Sequence, residues 1–161
     1  MIIAIAGASG FVGRALTAHL LDSGHDVVAL GRSVDPSSTD ARAVPVDVGD
    51  ESATANALAG TEAAYYLIHS MAVGDGFRDV DLRLATAFGR AAARAGVRRI
   101  IYVGALGNAP TSAHLASRQE VGSALGAAGV AVIELRAAVV LGAGSISFEM
   151  LRYLTERLPA M

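Results

Sequence analysis

Cysteine, lysine and tryptophan are all missing from this 161-residue sequence. Without cysteine the chain has no disulfide, no thiolate nucleophile and no cysteine metal ligand. Its four histidines lack the close spacing of a zinc site, so we expect no structural metal. All 13 residues of the lysine-plus-arginine total are arginines. This excludes any mechanism that needs a lysine as Schiff base, proton relay or phosphate clamp.

Long apolar runs and an excess of positive charge are missing as well. The chain is 53% hydrophobic, with a mean hydropathy of +0.46, but its longest apolar candidate, residues 130–141, is interrupted by Glu134 and Arg136. We therefore expect no membrane span, and an N-terminus without a basic start predicts no signal peptide, which favours the cytoplasm. A net charge of −2 argues against nucleic acid as the main partner.

Strand-like and helix-like segments alternate along the whole chain, a pattern typical of βαβ units with a parallel sheet. The sequence thus predicts a three-layer α/β fold with a doubly wound parallel sheet, in one domain over residues 1–161. The first, fifth and sixth strands are nearly continuous apolar runs, as expected when helices cover both faces. Strands are predicted at 2–6, 26–30, 43–48, 62–68, 99–103 and 130–140, helices at 11–23, 50–58, 79–95, 112–128 and 147–158, and glycine-bearing loops at 71–77 and 104–110.

The first strand leads into three regularly spaced glycines and then a helix. Gly7 allows a tight turn, Gly10 lets the backbone approach a pyrophosphate, and Gly13 lets the helix pack closely. The unpaired N–H groups and positive dipole of the helix N-terminus face the phosphates. This context favours a Rossmann-type dinucleotide site over a glycine-rich turn without a ligand.

The end of the second strand indicates which dinucleotide is bound. An acidic residue there accepts a hydrogen bond from the ribose 2′-hydroxyl of NAD(H), whereas an arginine nearby accommodates the 2′-phosphate of NADP(H). The sequence has no carboxylate at this position and carries Arg32. We therefore favour NADP(H) over NAD(H), the alternative being that Arg32 is a solvated loop cation.

Polar residues also follow the third and fourth strands. Asp47, beside Val48, lies where it would accept from the adenine amino group, or else it shares the N-terminus of the next helix with Asp50 and Glu51. His69 follows the fourth strand, close to the expected nicotinamide or ribose. It would act as a proton donor, or only hydrogen-bond to backbone or ribose.

Two further sets of charged residues have structural interpretations. Asp79 and Asp81 are predicted to interact with the dipole in the first turn of their helix. Glu134 and Arg136 lie two residues apart on one face of the sixth strand, which predicts a structural ion pair.

Several segments resemble the atypical and extended short-chain dehydrogenase/reductases: residues 7–13, Asp47-Val48, 95–102, and Leu135-Arg136 near Gly142. Within these, the chain most resembles the NmrA-like group and the bacterial NAD(P)H-binding proteins with a C-terminal domain of unknown function. Residues 65–71 and 147–153 are the parts most similar to that last group. The resemblance covers essentially the whole chain. Because such relatives are longer, it implies the N-terminal part of a longer protein, truncated before the substrate region.

The catalytic set that the resemblance implies is a Ser or Thr after the fifth strand and a Tyr-x-x-x-Lys on the next helix. Here His114 falls at the tyrosine position and Arg118 at the lysine position. Either His114 is a substitute acid with Arg118 holding the ribose, or the standard chemistry is lost and Arg118 serves binding alone. Arginine stays protonated, so it cannot relay a proton as lysine does.

The sequence therefore predicts an NADP(H)-dependent reductase for a small apolar carbonyl, enone or quinone-like substrate. A non-catalytic dinucleotide sensor or assembly protein is the second hypothesis, and a nucleotide-sugar epimerase or dehydratase is the third. The candidate catalytic residues are His114, Arg118 and His69. The candidate cofactor-binding residues are Gly7, Ser9, Gly10, Phe11, Val12, Gly13, Arg32, Asp47, Val48, Leu67, Ile68, His69 and Arg118.

Overall fold

The structure is a computed structural model that describes residues 1–35, 40–69, 76–106, 113–138 and 140–158. Most of the two predicted glycine-bearing loops, 71–77 and 104–110, lies outside these residues. The described strands are β1 (Ile2–Ala6), β2 (Asp26–Gly31), β3 (Arg42–Pro45), β4 (Ala63–Tyr66), β5 (Arg99–Ala105) and β6 (Ala131–Ala137). The described helices are α1 (Phe11–Asp22), α2 (Glu51–Ala57), α3 (Phe77–Ala95), α4 (Ala113–Gly126) and α5 (Ile146–Arg157).

The six strands form one parallel sheet in the order β3-β2-β1-β4-β5-β6. The chain winds outward from β1 to β3, then crosses back to β4 on the other side of β1. This confirms the predicted doubly wound α/β fold. The winding direction reverses between β1 and β4, so a crevice opens there at the carboxyl ends of the strands, where such folds bind ligands.

The core has two layers, one on each face of the sheet, because side chains alternate along each strand. On the face that carries α1, Ile3 and Ile5 of β1 pack with Leu20. On the opposite face the small Ala4 and Ala6 leave room for large side chains, among them Tyr66 and Phe88. Burial on both faces of the sheet accounts for much of the high apolar content of the chain. None of the described helices has the length and apolarity that a membrane crossing needs.

Strand β6 differs from the prediction. It ends at Ala137 rather than at residue 140, and it is the last strand in the sheet order. Ile133 and Leu135 are 43% and 50% exposed, so the expectation of helices covering both faces of this strand was wrong. An apolar sequence shows that a strand avoids water but not what covers it. The predicted pair is present: Arg136 Nε donates to Glu134 Oε2 at 3.1 Å.

Candidate functional site

The turn after β1 has a backbone shape that requires glycine. Gly7 has a φ of +91°, in the left-handed region. A Cβ on Gly7 would lie 3.1 Å from the carbonyl carbon and oxygen of Leu67, which follows β4. The Gly7 N–H donates to Leu30 O at 3.1 Å, and the Gly10 N–H donates to Gly7 O at 3.0 Å. The turn therefore lies between the ends of β2 and β4 and folds back on itself.

Helix α1 starts directly from this turn. A Cβ on Gly13 would lie 2.2 Å from Gly7 O and 2.7 Å from Ala8 Cα, so only glycine permits this close packing. Gly10 is the N-cap and has no side chain to satisfy the first N–H groups, those of Phe11 and Val12. A side chain at Gly10 would fill the space in front of them. The turn and the exposed helix N-terminus fit a pyrophosphate.

A cleft of about 480 Å³ extends from the glycine turn across the ends of β4, β5 and β6. Its walls are mostly apolar, and four polar side chains from β4's end, α3 and α4 enter it. The apolar lining residues include Val12, Leu67, Phe77, Val103, Ala105, Leu115, Ala137 and Val140. The four polar side chains from these elements are His69, Asp81, Ser117 and Arg118, and Ser145 and Ser147 at the start of α5 also line the cleft. An apolar cleft with a few convergent polar groups is typical of a small-molecule site.

Arg118 contacts His69 inside this cleft. Arg118 Nη1 lies 2.7 Å from Nε2 and 3.1 Å from Nδ1 of the imidazole. A guanidinium only donates hydrogen bonds, so the ring nitrogen that it meets must accept. Tyr102 fixes the backbone of Arg118, because Tyr102 Oη donates to the Arg118 carbonyl at 3.1 Å. The structure therefore brings together two of the three predicted catalytic residues.

Burial, and secondarily this contact, keep the imidazole neutral. Burial and the neighbouring Arg118 charge lower the pKa of His69 to about 4, although Asp81 opposes the shift. At neutral pH the ring then carries one proton and is a poor source of another. The geometry thus suits His69 for hydrogen bonding better than for proton donation. The third predicted catalytic residue, His114, is the second residue of α4, and its side chain lies outside the described part of the chain.

Asp81 lines the cleft, a position that the sequence pattern did not predict. Helix α3 begins at Phe77, two residues before the predicted start, so Asp81 lies beyond the first turn. It is 7% exposed and lines the cleft, so the interpretation as a first-turn dipole partner was wrong. The signal was in the sequence: Asp81, Ala85 and Phe88 share one helical face, which places a carboxylate in an apolar stripe.

Two buried tyrosines behind the cleft were also missed. The rings of Tyr66 on β4 and Tyr102 on β5 lie 6.3 Å apart, and His69 meets Tyr102 edge-on at the same centroid distance. Burial, with a smaller contribution from Asp81, raises the pKa of Tyr66 well above its ordinary value. Burial also raises the pKa of Tyr102 to about 12. Both hydroxyls therefore stay protonated at neutral pH and do not act as bases.

The residues predicted at the adenosine end lie at the ends of the neighbouring strands. Arg32 is exposed in the turn after β2. Asp47 lies beyond the end of β3 and accepts from the Gly49 N–H at 2.9 Å, whereas the N-cap of α2 is Asp50, whose carboxylate accepts from the Ala53 N–H. Asp50 thus caps α2, and Asp47 lies three residues before this cap, close to the N-terminus that it was expected to share with Asp50 and Glu51.

The remaining predicted residues divide between cleft and core. Val48 is 4% exposed, and the side chain of Ile68 packs against the core layer that contains Tyr66 and Phe88, so only the Ile68 backbone is positioned for a ligand. Ser9 lines a second cleft, on the α1 side of the glycine turn.

Comparison with known proteins agrees with this geometry. A family model described as NAD(P)H-binding matches residues 7–141. The chain belongs to this NAD(P)H-binding family. An uncharacterised protein of Mycobacterium tuberculosis is 43% identical over 65 residues, which cover 38% of this chain and 7% of that protein. The chain thus spans a small part of the length of the curated relatives that it matches.

Solved structures share the fold. A UDP-N-acetylglucosamine 4-epimerase from Bacillus cereus is similar with a TM-score of 0.81 and 17% identity, over 97% of this chain and 61% of that chain. An NADPH-dependent quinone oxidoreductase from Escherichia coli, solved with NADPH, is similar with a TM-score of 0.70 and 26% identity, over 83% of this chain and 48% of that chain. The Rossmann-type NAD(P)-binding fold is therefore common to enzymes of different activity.

Proposed function

We propose that this NAD(P)H-binding protein prefers NADP(H) and transfers hydride to a small apolar carbonyl, enone or quinone-like substrate. The observation that carries the proposal is the continuous cleft from the glycine turn to Arg118. One end has the exposed helix N-terminus that suits a pyrophosphate, and the rest is mostly apolar, with Arg118 beside His69, Asp81 and Ser117. The proposal includes the NmrA-like subtype and a longer whole protein of which residues 1–161 form the cofactor domain.

The chain's residues divide into binding roles along the dinucleotide. The first N–H groups of α1 would hold the pyrophosphate, and Arg32 the 2′-phosphate. Asp47 and the backbone of Val48 would contact the adenine. Leu67, the Ile68 backbone and His69 lie at the end of β4, on the side of the nicotinamide ribose, which Arg118 would also reach.

The bound dinucleotide would supply the hydride. The apolar walls of the cleft would exclude water from the reacting carbon. Arg118 would donate a hydrogen bond to the substrate oxygen as negative charge develops there, because charge-assisted donors in a dry site stabilise such charge strongly. Since Arg118 stays protonated, the proton for the product would come from His114 or from water.

The quinone oxidoreductase of Escherichia coli supports this choice, because it is similar over most of this chain and binds NADPH. A dinucleotide sensor without turnover is the second candidate. The observation that favours it is the replacement of the Tyr-x-x-x-Lys pair by His114 and Arg118, with Arg118 placed against a neutral imidazole. The missing tyrosine and lysine also disfavour a nucleotide-sugar epimerase, although an epimerase shares the fold.

Oxidation of NADPH distinguishes a reductase from a dinucleotide sensor without turnover. NADPH oxidation would be followed by absorbance with a panel of quinones, enones and carbonyls, alongside a binding titration. A reductase oxidises NADPH with at least one class, and His114→Ala or Arg118→Gln lowers that rate while Arg90→Gln, an exposed control on α3, does not. Saturable NADPH binding without oxidation by any acceptor would contradict the reductase and support the sensor.

A further inference from the structure

A second cleft, of about 470 Å³, lies on the α1 side of the sheet beside the glycine turn. Ser9 and Arg14 line it from the turn and α1, and Ser33 and Val34 line it from the segment after β2. It is separate from the larger cleft, whose lining includes Gly10 and Val12. The two clefts thus lie on either side of the glycine turn.

Arg14 lies where this second cleft meets the glycine turn. It directly follows Gly13, and its N–H donates to Gly10 O at 2.9 Å. Its Nη1 donates to the carbonyl of Ser9 at 2.5 Å, so the guanidinium lies against the outer side of the glycine turn. A guanidinium has five N–H donors, and this contact uses one of them. No other side-chain hydrogen bond of Arg14 is made to the described residues, so the remaining donors can meet an anion.

The position of the cleft indicates which anion. The Gly7 N–H bonds to Leu30 O, so the end of β2 lies against the glycine turn. In doubly wound folds the adenosine ribose lies at this strand end, and its 2′ substituent meets the residues that follow the strand. In this chain those residues are Arg32 and Ser33. Ser33 lines the same cleft as Arg14.

We propose that Arg14 is a cofactor-specificity residue, which binds the 2′-phosphate of NADP(H) together with Arg32. This inference rests on the proposed function, which assigned the 2′-phosphate to Arg32 alone. Two guanidiniums on one dianionic phosphate form charge-assisted hydrogen bonds that the 2′-hydroxyl of NAD(H) cannot replace. Arg14 has a second role in this arrangement, because its contact with Ser9 links the phosphate to the glycine turn.

Three carboxylates line the same cleft: Asp22, Asp35 and Asp40. Asp22 ends α1, about 12 Å along the helix axis from Arg14. Asp35 and Asp40 follow β2, and a carboxylate close to the ribose would accept from the 2′-hydroxyl and select NAD(H) instead. The competing outcome is therefore that Asp35 or Asp40 binds the 2′-hydroxyl and the chain prefers NAD(H).

The test uses two ligands that differ only in the 2′-phosphate, 2′,5′-ADP and 5′-AMP, in calorimetric titrations with the full chain. We expect the chain to bind 2′,5′-ADP more tightly. Arg14→Gln should weaken 2′,5′-ADP by about ten-fold or more, the usual effect of a lost charged hydrogen bond, and leave 5′-AMP within about two-fold. Arg14→Lys should retain part of the preference, because it keeps the charge, and Arg90→Gln should retain all of it. A thermal melt of each variant shows whether it is folded.

Three results would overturn the inference. Equal weakening of both ligands by Arg14→Gln would show that Arg14 only holds the glycine turn through Ser9. Unchanged 2′,5′-ADP binding would remove Arg14 from the site. Loss of 5′-AMP binding in Asp35→Asn or Asp40→Asn, without a 2′,5′-ADP preference in the unmodified chain, would assign the cleft to the 2′-hydroxyl. If the chain bound neither 5′-AMP nor 2′,5′-ADP nor NADPH, the proposed function would fail as well, and this outcome is distinct from the first three.

Discussion

Arg118 Nη1 lies 2.7 Å from His69 Nε2, which joins the end of β4 to helix α4 across the cleft. The two residues are 49 positions apart in the sequence, and the order of the sheet places them together. The contact puts a permanent cation against a neutral imidazole. It combines a strong hydrogen-bond donor with a ring that is hard to protonate, and this combination is the basis of the first two predictions.

Removing the cation should raise the pKa of His69. Burial is the larger cause of its low value and Arg118 the second, so Arg118→Gln should move the pKa from about 4 partway toward the ordinary 6.5. NMR titration of the imidazole protons measures this directly, with Arg90→Gln as the control. An unchanged pKa would show that the guanidinium and the ring do not interact in solution.

The same shift predicts how stability depends on pH. In the unfolded chain His69 has its ordinary pKa of 6.5, and in the folded chain about 4, so between these values the unfolded state binds the extra proton. Stability is therefore fully present above 6.5 and falls as the pH drops toward 4. The contribution is at most about 3 kcal/mol, at 1.36 kcal/mol per pKa unit.

His69→Gln should remove this pH-dependent contribution to the unfolding free energy. Urea unfolding at several pH values would show that the difference in unfolding free energy between the unmodified chain and the variant narrows as the pH falls from 7 to 4. Other titrating groups cancel in this difference. Parallel curves would mean that His69 titrates alike in both states.

Substitutions at two glycines of the turn should have different effects: one mainly lowers stability, and the other mainly weakens dinucleotide binding. Gly13→Ala places a Cβ 2.2 Å from Gly7 O, so we expect a loss of about 1–3 kcal/mol in unfolding free energy or more. Gly10→Ala meets only Gly7 O, at 3.3 Å, and should cost about 1 kcal/mol or less while weakening dinucleotide binding, because the Cβ fills the pyrophosphate approach.

Gly76 is a matched control for Gly10, because it is also a helix N-cap without a side-chain cap and a Cβ there meets none of the described residues within 4 Å. Gly76→Ala should keep dinucleotide affinity. If Gly10→Ala bound NADPH as tightly as Gly76→Ala, the pyrophosphate would not lie over Gly10.

The two tyrosines behind the cleft should respond in opposite ways to loss of the hydroxyl. Tyr66 Oη is buried without a hydrogen-bond partner in the described part of the chain, whereas Tyr102 Oη donates to the Arg118 carbonyl. Tyr66→Phe should leave the unfolding free energy unchanged or raise it, because an unpaired buried hydroxyl is costly. Tyr102→Phe should lower it by about 0.5–1.5 kcal/mol. A larger loss for Tyr66→Phe than for Tyr102→Phe would contradict the assigned hydrogen bonding.

Cofactor preference is tested at Arg32. Arg32→Ala should weaken NADPH binding by roughly 1.5 to 3 kcal/mol, as for a lost charged hydrogen bond, and leave NADH nearly unchanged. Parallel fluorescence titrations with the two dinucleotides measure this. Equal losses for both would remove Arg32 from the 2′-phosphate.

Local signals made the fold and the glycine turn predictable. The alternation of apolar strands with helices, and the spacing of Gly7, Gly10 and Gly13, are contained within short segments, and the parallel connection rule supplies the sheet. Strand ends were less accurate: β4 and β6 were predicted too long, because apolar character continues past the last ladder hydrogen bonds into residues such as Leu67 and Val140.

Contacts between distant elements were not predictable in the same way. The sequence placed His69 and Arg118 near one crevice but gave no sign of their direct contact, which depends on how α4 packs on β5. Asp81 was misinterpreted because the start of α3 was set two residues late. The exposure of β6 is a property of its place at the end of the sheet, which apolar composition does not report.

Dinucleotide binding in the larger cleft is the central claim, and a titration with NADPH tests it most directly. We expect saturable binding at a single site, competed by NADP⁺ and weakened by Gly10→Ala but not by Gly76→Ala. Absence of saturable binding of both NADPH and NADH up to millimolar concentration, in a chain shown to be folded by its thermal melt, would contradict it.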